Sequence, residues 1–191
     1  MKRYLIKILY ILIIFLELLL LKEYNQKKNE EKKIKIEKNS ISYTLGKANN
    51  YNFKDDVIKY EMILEIPIID LKKGILEKDN IDNNIDKNVT ILNESNYPDT
   101  EGNVFLAAHS GNGNKSYFNN LKNLKIKDKA NLYYKNKKYI YSVNEIIEID
   151  KKSNISLKLD SNNNLILITC SQTNKSKYLV IILNKIKETE Y

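Results

Sequence analysis

The hydrophobic pattern divides the chain into three parts. Residues 4–21 read YLIKILYILIIFLELLLL, an apolar run interrupted only by Lys7 and Glu17, and its length is at the lower limit for a membrane span. Residues 22 to about 55 are rich in Lys, Glu and Asn, which is typical of a flexible stalk that can begin as a helix. From about residue 56, short apolar runs alternate with polar residues. We therefore predict a membrane anchor over 1–22, a stalk over 23–55 and a folded domain over 56–191.

The apolar segment has a second interpretation, which is a cleaved signal peptide. After Leu21 the chain continues as Lys22-Glu23-Tyr24, without the small residues that mark a cleavage site, and this favours an uncleaved anchor. The orientation of the anchor is a separate question. More lysines follow the apolar segment than precede it, and the positive-inside rule then puts the domain in the cytoplasm. Long translocated domains often ignore that rule, so the charge bias does not decide the orientation.

The folded domain has the pattern of a mostly β protein. Many short apolar runs at close spacing, with hardly any helical periodicity, predict a closed or nearly closed β-barrel. Lys135-Asn136-Lys137 is typical of a hairpin turn, and Ser116–Leu124 is a candidate short helix. The predicted strands are Tyr60–Leu71, Val89–Asn93, Asn103–Ala108, Asn131–Tyr134, Lys138–Ile149, Asn164–Thr169 and Tyr178–Ile186.

Composition excludes several functional classes. The formal net charge is +8, but Arg3 is the only arginine. Recognition of nucleic acids favours arginine, and no nucleic-acid-binding motif is present, so we predict no nucleic-acid partner. A single Cys and a single His exclude an internal disulfide and cannot form a Cys/His zinc site by themselves. The spacing of the carboxylates suggests no metal site either, and we predict neither a metal nor a cofactor.

The only cysteine and the only histidine occupy similar places in the pattern. Cys170 ends the apolar run 165–169 and precedes a polar loop, and His109 ends the run 104–108 and opens a loop with Gly111 and Gly113. Taken singly, Cys170 is explained as a buried small hydrophobe and His109 as an idle loop residue. Taken together, they supply a nucleophile and the base or cation that a thiolate needs. The order His before Cys disfavours a papain-like protease.

Two segments carry a specific resemblance. LAAHSGN (106–112) and LILITC (165–170) resemble the two active-site segments of sortases, whose nucleophile segment is commonly written TLxTC. Ile166 stands where that motif has Thr, while Leu167, Thr169 and Cys170 match it. EIPIIDL (65–71) and NVTILNESNYPDTEGNVFLAAHSG (88–111) also resemble the family. The similarity covers about residues 57–186 and is closest to class B and D-like enzymes of Gram-positive bacteria.

The resemblance implies a sortase-like eight-stranded β-barrel with one or two short helices, and a catalytic set of His, Cys and Arg. It assigns His109 and Cys170 to this set, and Lys177 stands where the arginine is expected. The role expected of Lys177 can also be shared or replaced by Lys175, Gln172 or Asn174. The alternative explanation of Lys177 is an ordinary lysine at a strand edge. The flanking polar residues predicted to contact substrate are Ser110, Asn112, Thr169 and Ser171.

The implied activity is that of a membrane-anchored cysteine transpeptidase. Its expected partners are exported proteins with an LPxTG-like sorting signal, together with an amine acceptor on a cell-wall precursor or another protein. The expected location is the cell membrane, with a single-pass anchor and the catalytic domain outside the cytoplasm. Two alternatives stay open: a surface β-barrel binding module with an impaired catalytic set, and a thiol hydrolase without transpeptidation.

Overall fold

The computed structural model describes residues 2–46, 58–113, 115–153 and 162–191. One long helix, α1, is followed by eight strands and two short 3-10 turns at Pro67–Ile69 and Leu121–Asn123. The bounds are α1 Lys2–Thr44, β1 Met62–Ile66, β2 Leu71–Ile75, β3 Thr90–Ile91, β4 Val104–Ala107, β5 Lys129–Tyr134, β6 Lys137–Asp150, β7 Asn164–Cys170 and β8 Lys177–Glu190.

The strands form one sheet in the order β2-β1-β5-β6-β8-β7-β4-β3, which curls into a nearly closed barrel. All neighbouring pairs are antiparallel except β4 and β7, which run parallel. The two longest strands, β6 and β8, pair along their whole length, with one extra residue in β8, Ile186, and one in β6, Asn144. Such β-bulges increase the local twist and bend of a strand, which a curled sheet requires.

The strand β7 is buried on both faces. Its alternate side chains point to opposite faces, so Leu165 and Leu167 join the barrel interior while Ile166 and Ile168 join a separate apolar cluster on the other side. This explains why the sequence of β7 is a continuous apolar run rather than an alternating one. Cys170, two residues beyond Ile168, belongs to the face of the second cluster.

The predicted first strand, Tyr60–Leu71, contains β1, a 3-10 turn and only the first residue of β2, so the rest of β2 was not predicted. Pro67 lacks a backbone N–H and begins a 3-10 turn, which ends at Asp70 in the left-handed region with φ 52°. This turn reverses the chain, and β1 then pairs antiparallel with β2. The prediction overlooked the turn because the apolar residues Ile68 and Ile69 continue through it. The proposed short helix at 116–124 is likewise only the 3-10 turn Leu121–Asn123.

The predicted hairpin turn at 135–137 is confirmed. Lys135 and Asn136 both adopt positive φ, 45° and 61°, as a two-residue turn between antiparallel strands requires. Lys137 already pairs with Tyr134 as the first residue of β6.

The helix α1 extends well beyond the predicted anchor. Residues 23–44 of the predicted stalk are helical, and Ile41 is buried against Ile63 and Leu76 of the barrel. Glu37 forms an ion pair with Lys73 of β2 at 2.8 Å. The end of the helix is therefore docked on the domain, while 47–55 of the predicted stalk lie outside the described residues.

Along the part of the chain that the structure describes, no helix combines the length and apolar character that a membrane crossing needs. The membrane anchor predicted for residues 1–22 is thus not confirmed.

Candidate active site

The parallel pairing of β4 and β7 creates the site. The two strands run side by side from Val104↔Leu165 to Ala107↔Ile168, so their carboxyl ends meet at the same edge of the barrel. His109 follows the end of β4 and Cys170 ends β7. The buried hydroxyl of Thr169 donates a hydrogen bond to the carbonyl of Ala108 at 2.8 Å, and Ser110 Oγ donates to the Cys170 carbonyl at 2.5 Å. These two bonds tie the loop of His109 to the loop of Cys170.

Cys170 lies at a cleft of about 530 Å³ and is partly exposed. Its Sγ accepts a hydrogen bond from the ammonium group of Lys151 at 3.3 Å. The only cysteine of the chain is thus in direct contact with a cation. The cleft is lined by Ser110, Gly111, Asn112, Lys151, Cys170, Ser171, Gln172 and Lys175.

His109 is half-exposed at the same edge, and its Nε2 lies 2.9 Å from Oδ1 of Asp86. Asp86 belongs to the loop between β2 and β3. A carboxylate in this position orients the imidazole ring. His109 is not among the residues that line the cleft, and its role in proton transfer stays a prediction.

Lys177 has a different environment from the one expected of a catalytic cation. Its Nζ lies 3.8 Å from Glu148 Oε2, and its backbone carbonyl accepts the N–H of Ser171. In the strand ladder Cys170 stands opposite Tyr178, so alternation puts the neighbouring Lys177 on the other face of β8. The ammonium of Lys177 thus faces Glu148, and Lys177 is not among the residues that line the cleft.

Glu148 holds the loop that follows Cys170. Its carboxylate accepts hydrogen bonds from the hydroxyls of Ser171 and Thr173. These two bonds, reinforced by the charge of Lys177, lower the pKa of Glu148 below its usual range. Glu148 therefore stays ionised at neutral pH and keeps the loop between β7 and β8 in place.

The four predicted substrate-binding residues differ in their surroundings. Ser110, Asn112 and Ser171 line the cleft, whereas the hydroxyl of Thr169 is used inside the fold, in its bond to Ala108. Ser171 is also committed to Glu148. Substrate contact by these residues stays a prediction.

The alternatives considered for the missing arginine are placed as follows. Gln172 lines the cleft and is held by Lys122 and Asn119. The side chain of Asn174 accepts hydrogen bonds from the backbone and hydroxyl of Ser176 and so stabilises the loop. Lys175 lines the cleft.

Sequence reasoning missed two residues that contact the reactive groups, Lys151 and Asp86. Lys151 directly follows β6, and Asp86 lies in a loop rich in Asn and Asp. Neither residue has a motif around it, and the chain is rich in both lysine and acidic residues. The one signal available was position, since Lys151 comes two residues after the end of the long predicted strand Lys138–Ile149.

The sequence matches the model of the sortase domain over residues 64–185, so the chain belongs to the sortase family. The family supports assignment as a cysteine transpeptidase, and Cys170 is the only cysteine present. No curated protein matches the sequence.

Solved sortase structures share the fold. Sortase C-3 from Streptococcus pneumoniae superposes with a TM-score of 0.61 at 18% identity, covering 84% of this chain and 86% of that one. A sortase D5 transpeptidase from Clostridium perfringens gives 0.60 at 18% identity, covering 80% and 99%. Sortase E1 from Streptomyces coelicolor, with a tripeptide in its active site, gives 0.59 at 18% identity, covering 69% and 90%. Similar structures include classes A, C, D and E, so the class B/D-like resemblance is not confirmed.

Proposed function

We propose that this protein cleaves an LPxTG-like sorting signal through a thioester on Cys170 and transfers the acyl group to an amine. The observation that carries the proposal is the parallel pairing of β4 with β7, which brings His109 and Cys170 to one edge of the barrel. The cleft beside Cys170 is open to solvent.

The reaction proceeds in two steps. The thiolate of Cys170 attacks the scissile carbonyl, a C–S bond forms, and the carbonyl π electrons move to oxygen. When this intermediate collapses, the C–N bond breaks and His109 gives its proton to the departing amine. An amine acceptor then attacks the thioester, His109 takes a proton from it, and the thiolate of Cys170 leaves.

Tyr178 supports a peptide substrate with an apolar side chain. It is partly exposed opposite Cys170, and it packs against the buried cluster of Ile166, Ile168 and Val180. The exposed part of its ring is suited to contact the leucine or proline of a sorting signal before the scissile bond.

The partners and location belong to the same proposal. Exported proteins supply the sorting signal, and a cell-wall precursor or a protein lysine supplies the acceptor amine. The support for membrane attachment is the series of exposed apolar side chains on α1 between Ile8 and Leu21, which only Glu17 interrupts. The proposed location of the catalytic domain is outside the cytoplasm. Fractionation of cells tests the membrane attachment, and protease added outside the cells tests the location of the domain. Protein found in the soluble fraction contradicts the attachment.

The test of function uses sorting-signal peptides with and without an added amine. Mass spectrometry of the wild-type protein is expected to show an acyl adduct on Cys170 and a peptide–amine conjugate. Cys170→Ala removes the sulfur and is expected to abolish both without unfolding the domain. Cleavage retained in Cys170→Ala contradicts the proposal, and cleavage without any conjugate favours the hydrolase alternative.

A further inference from the structure

We infer that Lys151, which directly follows β6, is the catalytic cation that contacts Cys170. It takes the role that the motif position assigns to Lys177 on β8. The inference rests on the proposed function, since it gives a role in that reaction to a residue outside the expected catalytic set. It makes Lys151 a catalytic residue because its ammonium contacts the reacting sulfur.

The backbone of Lys151 is held firmly at the barrel edge. Its N–H donates to the carbonyl of Ser176 at 2.9 Å, which joins the end of β6 to the loop between β7 and β8. The side chain of Asp150 accepts the N–H of Lys152, and its carbonyl accepts the hydroxyl of Ser153. These bonds form the turn that begins at Asp150 and direct Lys151 toward the cleft.

The side chain of Lys151 has two contacts in the cleft. Its Nζ lies 5.3 Å from the centre of the Tyr178 ring and 3.3 Å from Cys170 Sγ. Tyr178 is directly opposite Cys170 in the β7–β8 ladder, so the ring and the sulfur are on the same face. A ring face attracts an ammonium group, and Tyr178 thereby holds Lys151 beside the sulfur.

The other lysines near Cys170 are placed less well for this role. Lys177 is paired with Glu148 and lies on the opposite face of β8. Lys122 donates to Gln172 at 2.6 Å. Lys175 lines the cleft, but the hydrogen bond to Sγ is made by Lys151.

A single sulfur atom suits a lysine. The ammonium group is a compact point charge, whereas the advantage of arginine is a planar fork that binds two acceptor atoms at once. In the resting enzyme the Lys151 ammonium stabilises the thiolate of Cys170. As the C–S bond forms and negative charge moves to the substrate oxygen, the same ammonium is within reach of the new oxyanion.

A donor for the oxyanion is needed because the nearest backbone group is occupied. The N–H of Ser171, the residue after the nucleophile, already donates to the carbonyl of Lys177 at 3.0 Å. Lys151 supplies a charged hydrogen-bond donor for the oxyanion in place of the N–H of Ser171.

The experiment measures alkylation of Cys170 by iodoacetamide, an uncharged reagent, in the full-length protein at pH 7. Lys151→Gln is expected to slow alkylation about tenfold, because it removes an opposite charge within about 4 Å of the thiolate. Lys175→Gln and Lys177→Gln are matched controls that remove the same charge nearby, and each is expected to stay within about twofold of wild type. Lys151→Arg, which keeps the charge, is expected to restore most of the rate.

A Lys151→Gln protein that is folded by circular dichroism and alkylates at the wild-type rate overturns the inference. So does a Lys177→Gln protein that shows the larger loss. If wild-type protein cleaves no sorting peptide but its alkylation depends on Lys151, the transpeptidase function fails while the pairing of Lys151 with Cys170 is supported. If peptides are cleaved and Lys151→Gln keeps full activity, the function stands and the inference fails.

Discussion

The surroundings of Glu65 and the cleft at Cys170 each bring a lysine close to an ionisable side chain. The two regions differ in whether that side chain's partners come from neighbouring strands or from loops. On β1, Glu65 binds Lys72, Asn131 and Tyr133 at 2.8, 3.2 and 2.6 Å; we call these four residues the Glu65 cluster. Lys72 and Asn131 are the direct ladder partners of Glu65. At the cleft, Cys170 and His109 instead have partners from loops, Lys151 and Asp86.

The difference separates a structural group from a reactive one. The ladder holds the partners of Glu65 on both sides and leaves its side chain 22% exposed. Burial opposes ionisation of Glu65, but the hydrogen bonds from Lys72, Tyr133 and Asn131 outweigh it and lower its pKa to about 2. At the cleft, loop partners leave room for a substrate beside the sulfur. Contacts of a similar kind are therefore enclosed where strands surround them and open to solvent where the strands end, which is the arrangement that the proposed chemistry requires.

The largest effect is expected from His109→Gln. Removing the group that donates and accepts the proton is expected to lower kcat/KM for peptide transfer by about 10²–10⁴-fold, while the midpoint of urea unfolding changes little because His109 lies in an exposed loop. Kinetics with a fluorogenic sorting peptide measure kcat/KM, and circular dichroism measures the midpoint of urea unfolding. A loss below tenfold in a folded variant would remove His109 from the proposed mechanism.

An intermediate effect, on the free energy of unfolding, is expected from Glu65→Gln. The pKa of Glu65 falls from its ordinary 4.5 to about 2 on folding, so its ionised form stabilises the fold above pH 4.5, and this contribution is lost as the pH falls toward 2. We expect Glu65→Gln to lower the free energy of unfolding by about 1–2 kcal/mol at pH 7, with allowance for solvent screening. The deficit is expected to shrink toward pH 2. Urea titrations at pH 7 and pH 3 measure it.

Glu61→Gln is the matched control for Glu65→Gln. Burial, followed by the charge of Glu77, raises the pKa of Glu61, so its ionisation at neutral pH opposes folding. The free energy of unfolding of this variant is expected to equal or exceed that of wild type at pH 7. If both variants lose the same stability, the special role of the Glu65 cluster is refuted.

The smallest effect is expected from Asp86→Asn. Asp86 is 75% exposed and His109 is 43% exposed, and exposed pairs of this kind are worth about 0.2–1 kcal/mol. We therefore expect kcat to fall by no more than about fivefold, because the imidazole ring loses the carboxylate that orients it. Measurement of kcat for peptide transfer in the two proteins checks this. An unchanged kcat would show that Asp86 does not act on His109.

Much of the domain could be predicted because its signals are local. The apolar runs that became β4 and β7 are evident in the sequence, and the turn at Lys135-Asn136 follows from residues that tolerate positive φ. The turn that ends β1 within the predicted strand Tyr60–Leu71 was missed because Ile68 and Ile69 are apolar although they lie in it. Ile68 is exposed while Ile69 packs against the core, and this difference follows from the way the chain reverses, which the pattern of residue types does not show.

The partners of the reactive groups could not be predicted in the same way. Lys151 is one lysine among many, and nothing in its local sequence distinguishes it from Lys177. Its position beside Cys170 depends on the order of β6, β8 and β7 in the sheet and on the face that each residue occupies. Lys177 matched the motif position, but the ladder turned it toward Glu148.

The amino-acid sequence by itself determined the β-rich domain, its hairpin at 135–137 and the two strand ends that carry His109 and Cys170, because hydrophobic runs and turn residues act over a few positions. The tertiary structure alone decided which strands are neighbours. Through that choice it decided that the two ends share an edge, that α1 docks on β2, and which lysine reaches the sulfur. Strand pairing joins residues distant in sequence, so these outcomes depend on the packing of the whole barrel.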